Sequence, residues 1–349
     1  MFKLPDNLPT NTSNINELTD YLEWRCVLVG SISLNEMLKP IALVNDEIDI
    51  DGIEDEGDKL LAMQDGILNE FQRRYDFSNK RYPFAVERSG YRLSIDSRHQ
   101  AYWVYIYLLL CTRLNMSVSS RWENLDGALL FEELSAAIAK NYFGHRAESF
   151  VFGTGAIGGF IQKINDLCNV MGEGHGYARR DSKIVNANDD KLDIVVWKSF
   201  SDKQFSKLIG FGQCKTGTSW DDGATIELQP ADFCKKWFVS STVVDPVKMF
   251  FCTQYFPLDS YSKAINAGVV FDRFRILDFL PGLDKQLASK IERWCKAAIK
   301  GISKPTVSLK KTTRNLVSAS ATVKKKIAKK DATATNGLPS KKKISKERM

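Results

Sequence analysis

The sequence predicts an α/β protein with a mostly helical N-terminal region and a basic tail. Three observations support this prediction. Strand-like and helix-like hydrophobic patterns alternate between residues 126 and 299, which is typical of an α/β domain. The apolar residues of 1–125 have mainly helical spacing. Residues 300–349 are rich in lysine and poor in apolar residues, so we expect them to be disordered.

The net charge of +7 is unevenly distributed along the 349 residues. Residues 300–349 contain 15 of the 49 Lys and Arg residues and 2 of the 42 Asp and Glu residues, which is a net charge of +13. The other 34 basic and 40 acidic residues give residues 1–299 a net charge of −6. A mildly acidic body and a strongly basic tail therefore have to be considered separately as binding surfaces.

Composition and cysteine placement exclude several classes of protein. A content of 44% hydrophobic and 26% charged residues is typical of globular chains, not of collagen-like, wholly disordered or membrane-embedded ones. The seven cysteines form no C-x-x-C pair and the chain has three histidines, so a zinc finger is not expected. Residues 1–10 lack the apolar core of a signal peptide. The most apolar window, 101–111, is too short to span a membrane. We therefore expect a reduced, cytosolic protein without a membrane partner.

The N-terminal region, residues 1–125, has no motif that indicates its role. Its pattern predicts a helix over 60–75, a hairpin over 82–95 and a second, buried helix over 96–116. Asp96 or Ser97 is the expected N-cap of the buried helix.

The central region, residues 126–299, is the predicted catalytic domain. Asp126 can cap a helix that Gly144 can end. Further helices are predicted over 160–171, 260–267 and 285–300. Strands are predicted over 148–152, 192–197, 208–215, 247–253 and near 275–279. A polar turn joins the second and third of these strands and predicts that they pair as a hairpin.

Polar side chains lie at the ends of the two hairpin strands. Asp193 opens the first strand, whereas Gln213 and Lys215 end the second. Because side chains at i and i+2 share a face of a strand, Gln213 and Lys215 point the same way. Antiparallel pairing can bring Asp193 beside them. Burying polar or charged side chains at the ends of apolar strands costs free energy unless they have partners or a function. We therefore interpret these three residues as a candidate site.

These residues resemble the motifs of the PD-(D/E)xK restriction-endonuclease-like nucleases, in the Mrr-type branch that has Gln in place of the middle acid. The matching segments are Phe131-Glu132, Asp190-Lys191-Leu192-Asp193 and Gln213-Cys214-Lys215. The run from Phe250 to Asp278 is similar to the family's later strand, helix and strand. The resemblance covers about residues 126–280 and implies a restriction-endonuclease-like core, in which helices flank a central mixed sheet.

Two features depart from the family's pattern. Leu192, and not Pro, precedes Asp193. Glu132 lies 61 residues before Asp193, which implies an inserted helix over 160–171.

The resemblance implies hydrolysis of phosphodiester bonds, most simply in DNA, with Mg²⁺ as the cofactor and Mn²⁺ as a substitute. Mg²⁺ suits this chemistry because it takes hard oxygen ligands and activates water. Asp193 is then the bridging ligand, Gln213 contributes its side-chain oxygen, and Cys214 contributes its main-chain carbonyl. Lys215 orients the attacking water and stabilises developing charge.

The identity of a further acid stays open at the level of sequence. The family position favours Glu132 on the helix that begins at Asp126. A helical wheel slightly favours its neighbour Glu133, because Glu132 lies almost opposite the apolar face. Glu173 is closer to Asp193 in sequence and is the third alternative. We predict Glu132, with Glu133 in second place.

Other residues are candidates for contact with nucleic acid. Trp220, in a loop after Lys215, can stack on a base or sugar, and the run Lys324, Lys325 and Lys326 in the tail can contact phosphates. The expected partners are DNA and either a partner subunit or a second copy of the chain, in a bacterial restriction or anti-phage defence system. The compartment is then the bacterial cytoplasm; in a eukaryote the lysine runs would indicate the nucleus.

Two functions of other classes compete with a nuclease. The first is a module that binds nucleic acid with a degenerate, inactive core. The second is an enzyme with a nucleotide cofactor, because Gly153 to Gly158 spells G-x-G-x-x-G before a predicted helix and Glu173 follows 15 residues later. Purified protein that binds DNA without cutting it would favour the first, and a copurifying dinucleotide the second.

Overall fold

The structure, a computed structural model, describes residues 14–44, 56–89, 91–114, 116, 120–153, 159–178, 190–217, 222–257 and 261–302. The helices are α1 (Ile15–Val29), α2 (Leu34–Val44), α3 (Glu56–Phe77), α4 (Tyr102–Arg113), α5 (Gly127–Phe143), α6 (Phe160–Met171), α7 (Pro230–Trp237), α8 (Tyr261–Ala267), α9 (Arg273–Asp278) and α10 (Lys285–Ile302). The strands are β1 (Ser31–Ser33), β2 (Phe84–Glu87), β3 (Arg92–Ile95), β4 (Arg121–Trp122), β5 (Leu125–Asp126), β6 (Ala147–Val151), β7 (Ile194–Lys198), β8 (Leu208–Lys215), β9 (Val247–Cys252) and β10 (Val269–Phe271). A 3-10 turn covers Asp222–Ile226.

A five-stranded mixed sheet in the order β10-β9-β8-β7-β6 forms the centre of the second region. Strands β10, β9 and β8 are parallel, whereas β8, β7 and β6 pair antiparallel. Helix α7 lies in the connection from β8 to its parallel neighbour β9, as parallel pairing requires a crossover. Helices flank this sheet, so the predicted α/β class with a central mixed sheet is confirmed. The predicted hairpin is also correct, because Ile194 pairs with Gly212.

The two faces of β7 belong to two separate cores, as the period of two along a strand requires. Ile194 and Val196 pack in the cluster that includes α5, whereas Val195 and Trp197 pack with residues of α6 and α7. On the α5 side, β8 carries glycine at 210. A Cβ at this position would lie 2.9 Å from the Phe143 ring and 2.6 Å from the Met249 sulfur. The absence of a side chain there lets α5 approach the sheet closely.

The N-terminal helices share the core of the α5 side with the sheet. Helix α4 is almost wholly buried and packs on α10. Tyr107 of α4 donates a hydrogen bond to the Gly127 carbonyl (2.5 Å), and its ring meets Trp294 of α10 edge to face. The predicted hairpin is confirmed as β2 and β3, which with β1 form a small antiparallel sheet. The predicted division at residue 125 stays a prediction, and one continuous core runs across this point.

A buried ionic network joins α1 and α3 to α9, and we define it by Asp20, Glu23, Arg74 and Arg273. Arg273 contacts both carboxylate oxygens of Asp20, at 2.7 and 2.9 Å. Arg74 contacts Asp20 at 2.6 Å and Glu23 at 2.7 Å. The side chains of both arginines are 1% exposed and that of Glu23 is 0% exposed. Helices that are distant in sequence are thus held in one arrangement.

Two sequence predictions about element type or start are wrong. The segment expected to be a strand near 275–279 is helix α9, and the edge strand is β10, which precedes it. The side chain of Asp272 accepts hydrogen bonds from the Phe274 and Arg275 amides at 3.1 and 3.0 Å, which fixes a helix start. Helix α4 begins at Tyr102 and not after Asp96 or Ser97.

Helix α5 has the bounds that its caps predict. The Asp126 side chain accepts a hydrogen bond from the Ala128 amide, and Gly144 follows the last helical residue. Among the described residues, no helix combines the length and apolar character needed to cross a membrane.

Candidate functional site

The site forms where β7 begins and β8 ends, because antiparallel strands bring opposite ends together. Asp193 immediately precedes β7, and its amide donates to the Gly212 carbonyl at 3.0 Å. Its carboxylate oxygen Oδ2 accepts a hydrogen bond from the Cys214 amide at 2.6 Å. The Asp193 carbonyl accepts from the amides of Phe152 and Gly153 at the end of β6. The carboxylate is therefore fixed on the end of β8.

Gln213 and Lys215 converge on a single carboxylate oxygen. Gln213 Nε2 donates to Glu227 Oε2 at 2.7 Å, and Lys215 Nζ donates to the same atom at 2.9 Å. Lys191, two residues before Asp193, contacts the other oxygen, Oε1, at 3.2 Å. We call Asp193, Gln213, Lys215 and Glu227 the strand-end cluster.

Glu227 is the residue of this cluster that sequence reasoning missed. It lies between the 3-10 turn at Asp222–Ile226 and helix α7, in a segment with no strand or helix pattern. Partial burial raises the pKa of its carboxyl, but hydrogen bonds from Lys215, Gln213 and Lys191 outweigh this effect and hold the pKa at about 2. Glu227 is therefore a carboxylate at neutral pH. A search for acids near the start of the helix after the Gln-x-Lys strand could have found it.

Gln213 presents an unmatched acceptor. Its side chain is 1% exposed. Within the described part of the chain, its Oε1 atom is buried and accepts no hydrogen bond. Buried polar atoms are normally satisfied, so this acceptor is available to a water or a ligand at the end of the strand.

The main chain of Cys214 also faces the site. In an antiparallel pair, the N–H and the C=O of one residue point to the same side of the strand. Because the Cys214 amide donates to Asp193, its carbonyl is directed toward the Asp193 side as well. Its thiol lies on the α5 face, where burial and then the charges of Asp193 and Glu132 raise its pKa.

Glu132 approaches the site from α5. Its side chain is 6% exposed, and a Cβ placed on Gly153 would lie 2.5 Å from Glu132 Oε2. The carboxylate therefore packs against Gly153, which in turn bonds to the Asp193 carbonyl. Lys163 of α6, 5% exposed, donates to the Gly153 carbonyl at 2.7 Å. Because the Glu132 carboxylate approaches Gly153 so closely, a side chain would not fit at this position. This explains why the first residue of the glycine-rich motif is glycine.

The two alternative acids lie elsewhere. Glu133 points to α10, where Lys290 contacts it at 2.9 Å. Glu173 is 2% exposed and accepts hydrogen bonds from the amides of Lys207 and Val243. Lys207 precedes the eight-residue strand β8, so Glu173 lies about 25 Å from Lys215 at the other strand end. The geometry thus associates Glu132, and neither alternative, with the strand-end cluster.

The glycine-rich motif does not have the surroundings of a dinucleotide site. Strand β6 precedes the motif and α6 follows it, but β6 pairs antiparallel with β7, whereas a dinucleotide fold needs a parallel βαβ unit. Both oxygens of Glu173 are bound to main-chain amides. Residues 154–158 of the motif, Trp220, and the tail lysines Lys324, Lys325 and Lys326 lie outside the described residues.

The oxygen atoms at the site fit a hard cation. In the described ranges, no three His, Cys, Asp or Glu side chains are grouped so that they could hold a metal ion. The candidate ligands are of another kind, because they combine the Asp193 carboxylate with an amide oxygen and a main-chain carbonyl. Such oxygens suit Mg²⁺, which keeps several of its waters. The unmatched Gln213 Oε1 is the observation that agrees with this ligand set.

Comparison of the chain with protein-family models, with curated proteins and with solved structures finds no match. Function therefore has to be inferred from the residues of the site and their geometry.

Proposed function

We propose that this protein is a metal-dependent nuclease with a restriction-endonuclease-like core that hydrolyses phosphodiester bonds, most simply in DNA. One observation carries the proposal. A carboxylate (Asp193), a buried amide with an open oxygen (Gln213) and an ammonium group (Lys215) belong to the adjacent ends of two paired strands. Packing alone does not call for these polar groups, because apolar side chains would bury the two strand ends at a lower cost in free energy.

The order of elements supports the same proposal. The helix with Phe131-Glu132 comes first, and the strand after Asp193 and the strand ending in Gln213-Cys214-Lys215 follow. A further strand and helix come next, as the resemblance predicts. The departure is the last element, since the resemblance expects a strand at 275–279, where α9 lies.

Each residue of the site has a role that follows from its chemistry. Asp193, Gln213 Oε1 and the Cys214 carbonyl would hold Mg²⁺ or Mn²⁺, which supplies an activated water and a counter-charge for the phosphate. Lys215 donates to the attacking water and stabilises negative charge that develops on the phosphate oxygens. Glu132 closes the site on the α5 side and is the further acid.

The charge distribution supports nucleic acid as the substrate. The net charge of +13 in residues 300–349 would attract phosphates without regard to sequence, with an affinity that falls as salt rises. The body, at −6, contributes little to such attraction. The tail would hold DNA near the site, in a bacterial restriction or anti-phage defence system with a partner subunit or a second copy of the chain.

One observation favours a second candidate, a module that binds nucleic acid without cutting it. Lys215 Nζ already has a carboxylate partner, Glu227 Oε2 at 2.9 Å, so this lysine has a structural use that requires no reaction. A cleavage assay separates the two candidates.

The assay is nicking of supercoiled plasmid with Mg²⁺ or Mn²⁺, followed on gels. We expect Asp193→Ala and Lys215→Ala to lower the rate by about 100-fold or more, the size typical for the loss of a charge-stabilising group. Asp202→Ala and Lys198→Ala are matched controls, because both residues lie at the opposite end of the β7–β8 hairpin. They should cut at the wild-type rate. Equal cleavage by all five proteins would refute the site, and DNA binding without any cleavage would favour the second candidate.

A further inference from the structure

Glu227 is bound by three donors from both sides of the candidate site. Gln213, Lys215 and Lys191 all point their nitrogen atoms at its carboxylate, at 2.7, 2.9 and 3.2 Å. An ionised carboxylate has no donor, so it is the acceptor in all three contacts. The side chain of Glu227 is 33% exposed, so its packing alone does not hold it there.

This contact determines which way the Gln213 amide faces. An amide group has one oxygen and one nitrogen, and its orientation follows from its hydrogen bonds. Because Glu227 accepts from Nε2, the oxygen Oε1 must face away from Glu227. Oε1 is the buried acceptor that has no donor among the described residues. The contact with Glu227 therefore leaves the oxygen of the Gln213 amide, and not its N–H group, available as a ligand.

The same carboxylate oxygen fixes the ammonium of Lys215. Lys215 lies two residues after Gln213 on the same face of β8. Because both side chains donate to the same oxygen atom, their nitrogen atoms are held close together. The lysine side chain is 26% exposed and would otherwise rotate freely.

We propose that Glu227 is a positioning residue that turns the Gln213 amide oxygen and the Lys215 ammonium toward the bound divalent cation and the scissile phosphate. The inference rests on the proposed nuclease function and deepens it. Glu227 itself does not contact the metal: it acts on the metal through Gln213, as outer residues around metal sites commonly do.

The first experiment compares Glu227→Ala with Glu227→Gln in full-length protein, with Mn²⁺ binding measured by electron paramagnetic resonance and plasmid nicking measured in parallel. The loss of an outer partner commonly lowers metal affinity by about 10- to 100-fold. We expect Glu227→Ala to weaken Mn²⁺ binding about tenfold. Glu227→Gln keeps an oxygen that can accept from Gln213, so it should bind Mn²⁺ within about threefold of wild type. Glu148→Ala, on β6 and bonded to Ser199, is the control and should be unchanged.

The second experiment is a double-mutant cycle with Gln213→Ala, because residues that act through one another are not additive. If Glu227 acts through Gln213, then Glu227→Ala should change Mn²⁺ affinity less than about twofold in the Gln213→Ala background. The same tenfold loss in both backgrounds would overturn the inference, as would wild-type Mn²⁺ binding by Glu227→Ala. Circular dichroism spectra of all variants verify that they are folded.

The outcomes separate this inference from the function on which it rests. A wild-type protein that neither binds Mn²⁺ nor nicks plasmid would refute the nuclease and, with it, the role of Glu227. A wild-type protein that binds Mn²⁺ in a manner dependent on Asp193, while Glu227→Ala binds equally well, would refute only the role of Glu227.

Discussion

The buried network and the strand-end cluster are both built from charged and amide side chains, but they differ in whether their hydrogen bonds are complete. In the buried network, Arg273 donates to Asp20, to the Thr253 carbonyl and to the Thr112 hydroxyl. Glu23 accepts from Arg74, Tyr105 and Tyr82. In the strand-end cluster, the Gln213 oxygen accepts nothing from the described residues.

This difference distinguishes a structural role from a ligand-binding one. Burying a charge is costly unless partners replace the water that it loses, and the buried network supplies those partners. Such a network has no spare acceptor and no open side with which to bind a ligand. The strand-end cluster keeps both, since Lys215 and Glu227 are partly exposed and one acceptor is open.

The two clusters are connected through β9. Cys252 of β9 lies opposite Lys215 in the strand register. The carbonyl of the next residue, Thr253, accepts a hydrogen bond from Arg273. Two residues after β8, the Gly217 amide donates to the Cys111 carbonyl of α4. The N-terminal helices therefore help to hold the strand end on which Lys215 stands.

The largest effect on stability is expected for Arg273→Met. This change removes a buried cation, keeps most of the side-chain volume and leaves Asp20 with one arginine fewer. Removal of one partner from a buried ion pair costs about 3–5 kcal/mol. We expect the free energy of unfolding, from urea titration, to fall by about that amount.

Arg275→Met is the matched control for this prediction. Arg275 lies two residues on in the same helix but is exposed. Its side chain donates to the Val270 carbonyl, and its main-chain amide donates to Asp272. Its replacement should change the free energy of unfolding by less than about 1 kcal/mol, as surface substitutions usually do. A similar loss for both arginines would show that the buried network has no special role.

The elements that carry the strand-end cluster were predictable from local patterns, but the contacts between them were predictable only in part. Asp126 and Gly144 mark the ends of α5, and alternation marks the β7–β8 hairpin. The pairing of Asp193 with the Gln213-Cys214-Lys215 strand follows from the hairpin alone. Helix α9 was missed because Ile276 and Leu277 fit a short strand as well as a helix.

Contacts between distant segments were beyond sequence reasoning. Asp20 and Arg273 are 253 residues apart, and nothing in the local pattern of either helix indicates that they meet. Glu227 reaches Gln213 from an irregular segment, so neither a period of two nor a helical period relates them. The resemblance to the nuclease family favoured Glu132 and the helical wheel slightly favoured Glu133; only the structure shows that Glu133 is turned to Lys290 of α10.

The second prediction compares neighbouring acids of α5 to find whether Glu132 belongs with the strand-end cluster. Glu132→Gln keeps the shape of the side chain and removes a buried charge that packs against Gly153. We expect plasmid nicking to slow by about 100-fold, which corresponds to about 2.7 kcal/mol of activation free energy.

Glu133→Gln provides the control for this pair. It removes only a partly exposed pairing with Lys290, so nicking should stay within about twofold of wild type and stability should change by less than about 1 kcal/mol. If Glu133→Gln loses activity and Glu132→Gln keeps it, the assignment of the further acid is reversed.

The smallest effect on stability is expected for Lys215→Met, although the same change should abolish most of the cleavage. The ion pair of Lys215 with Glu227 is partly exposed, and such pairs contribute about 0–1 kcal/mol. Met keeps the apolar stem that covers the strand end, so the free energy of unfolding should stay within about 1 kcal/mol of wild type. Groups that serve a reaction often contribute nothing to stability, or even oppose it. A loss as large as that of Arg273→Met in the same urea titration would mean that the strand-end cluster is structural, and the distinction between the two clusters would fail.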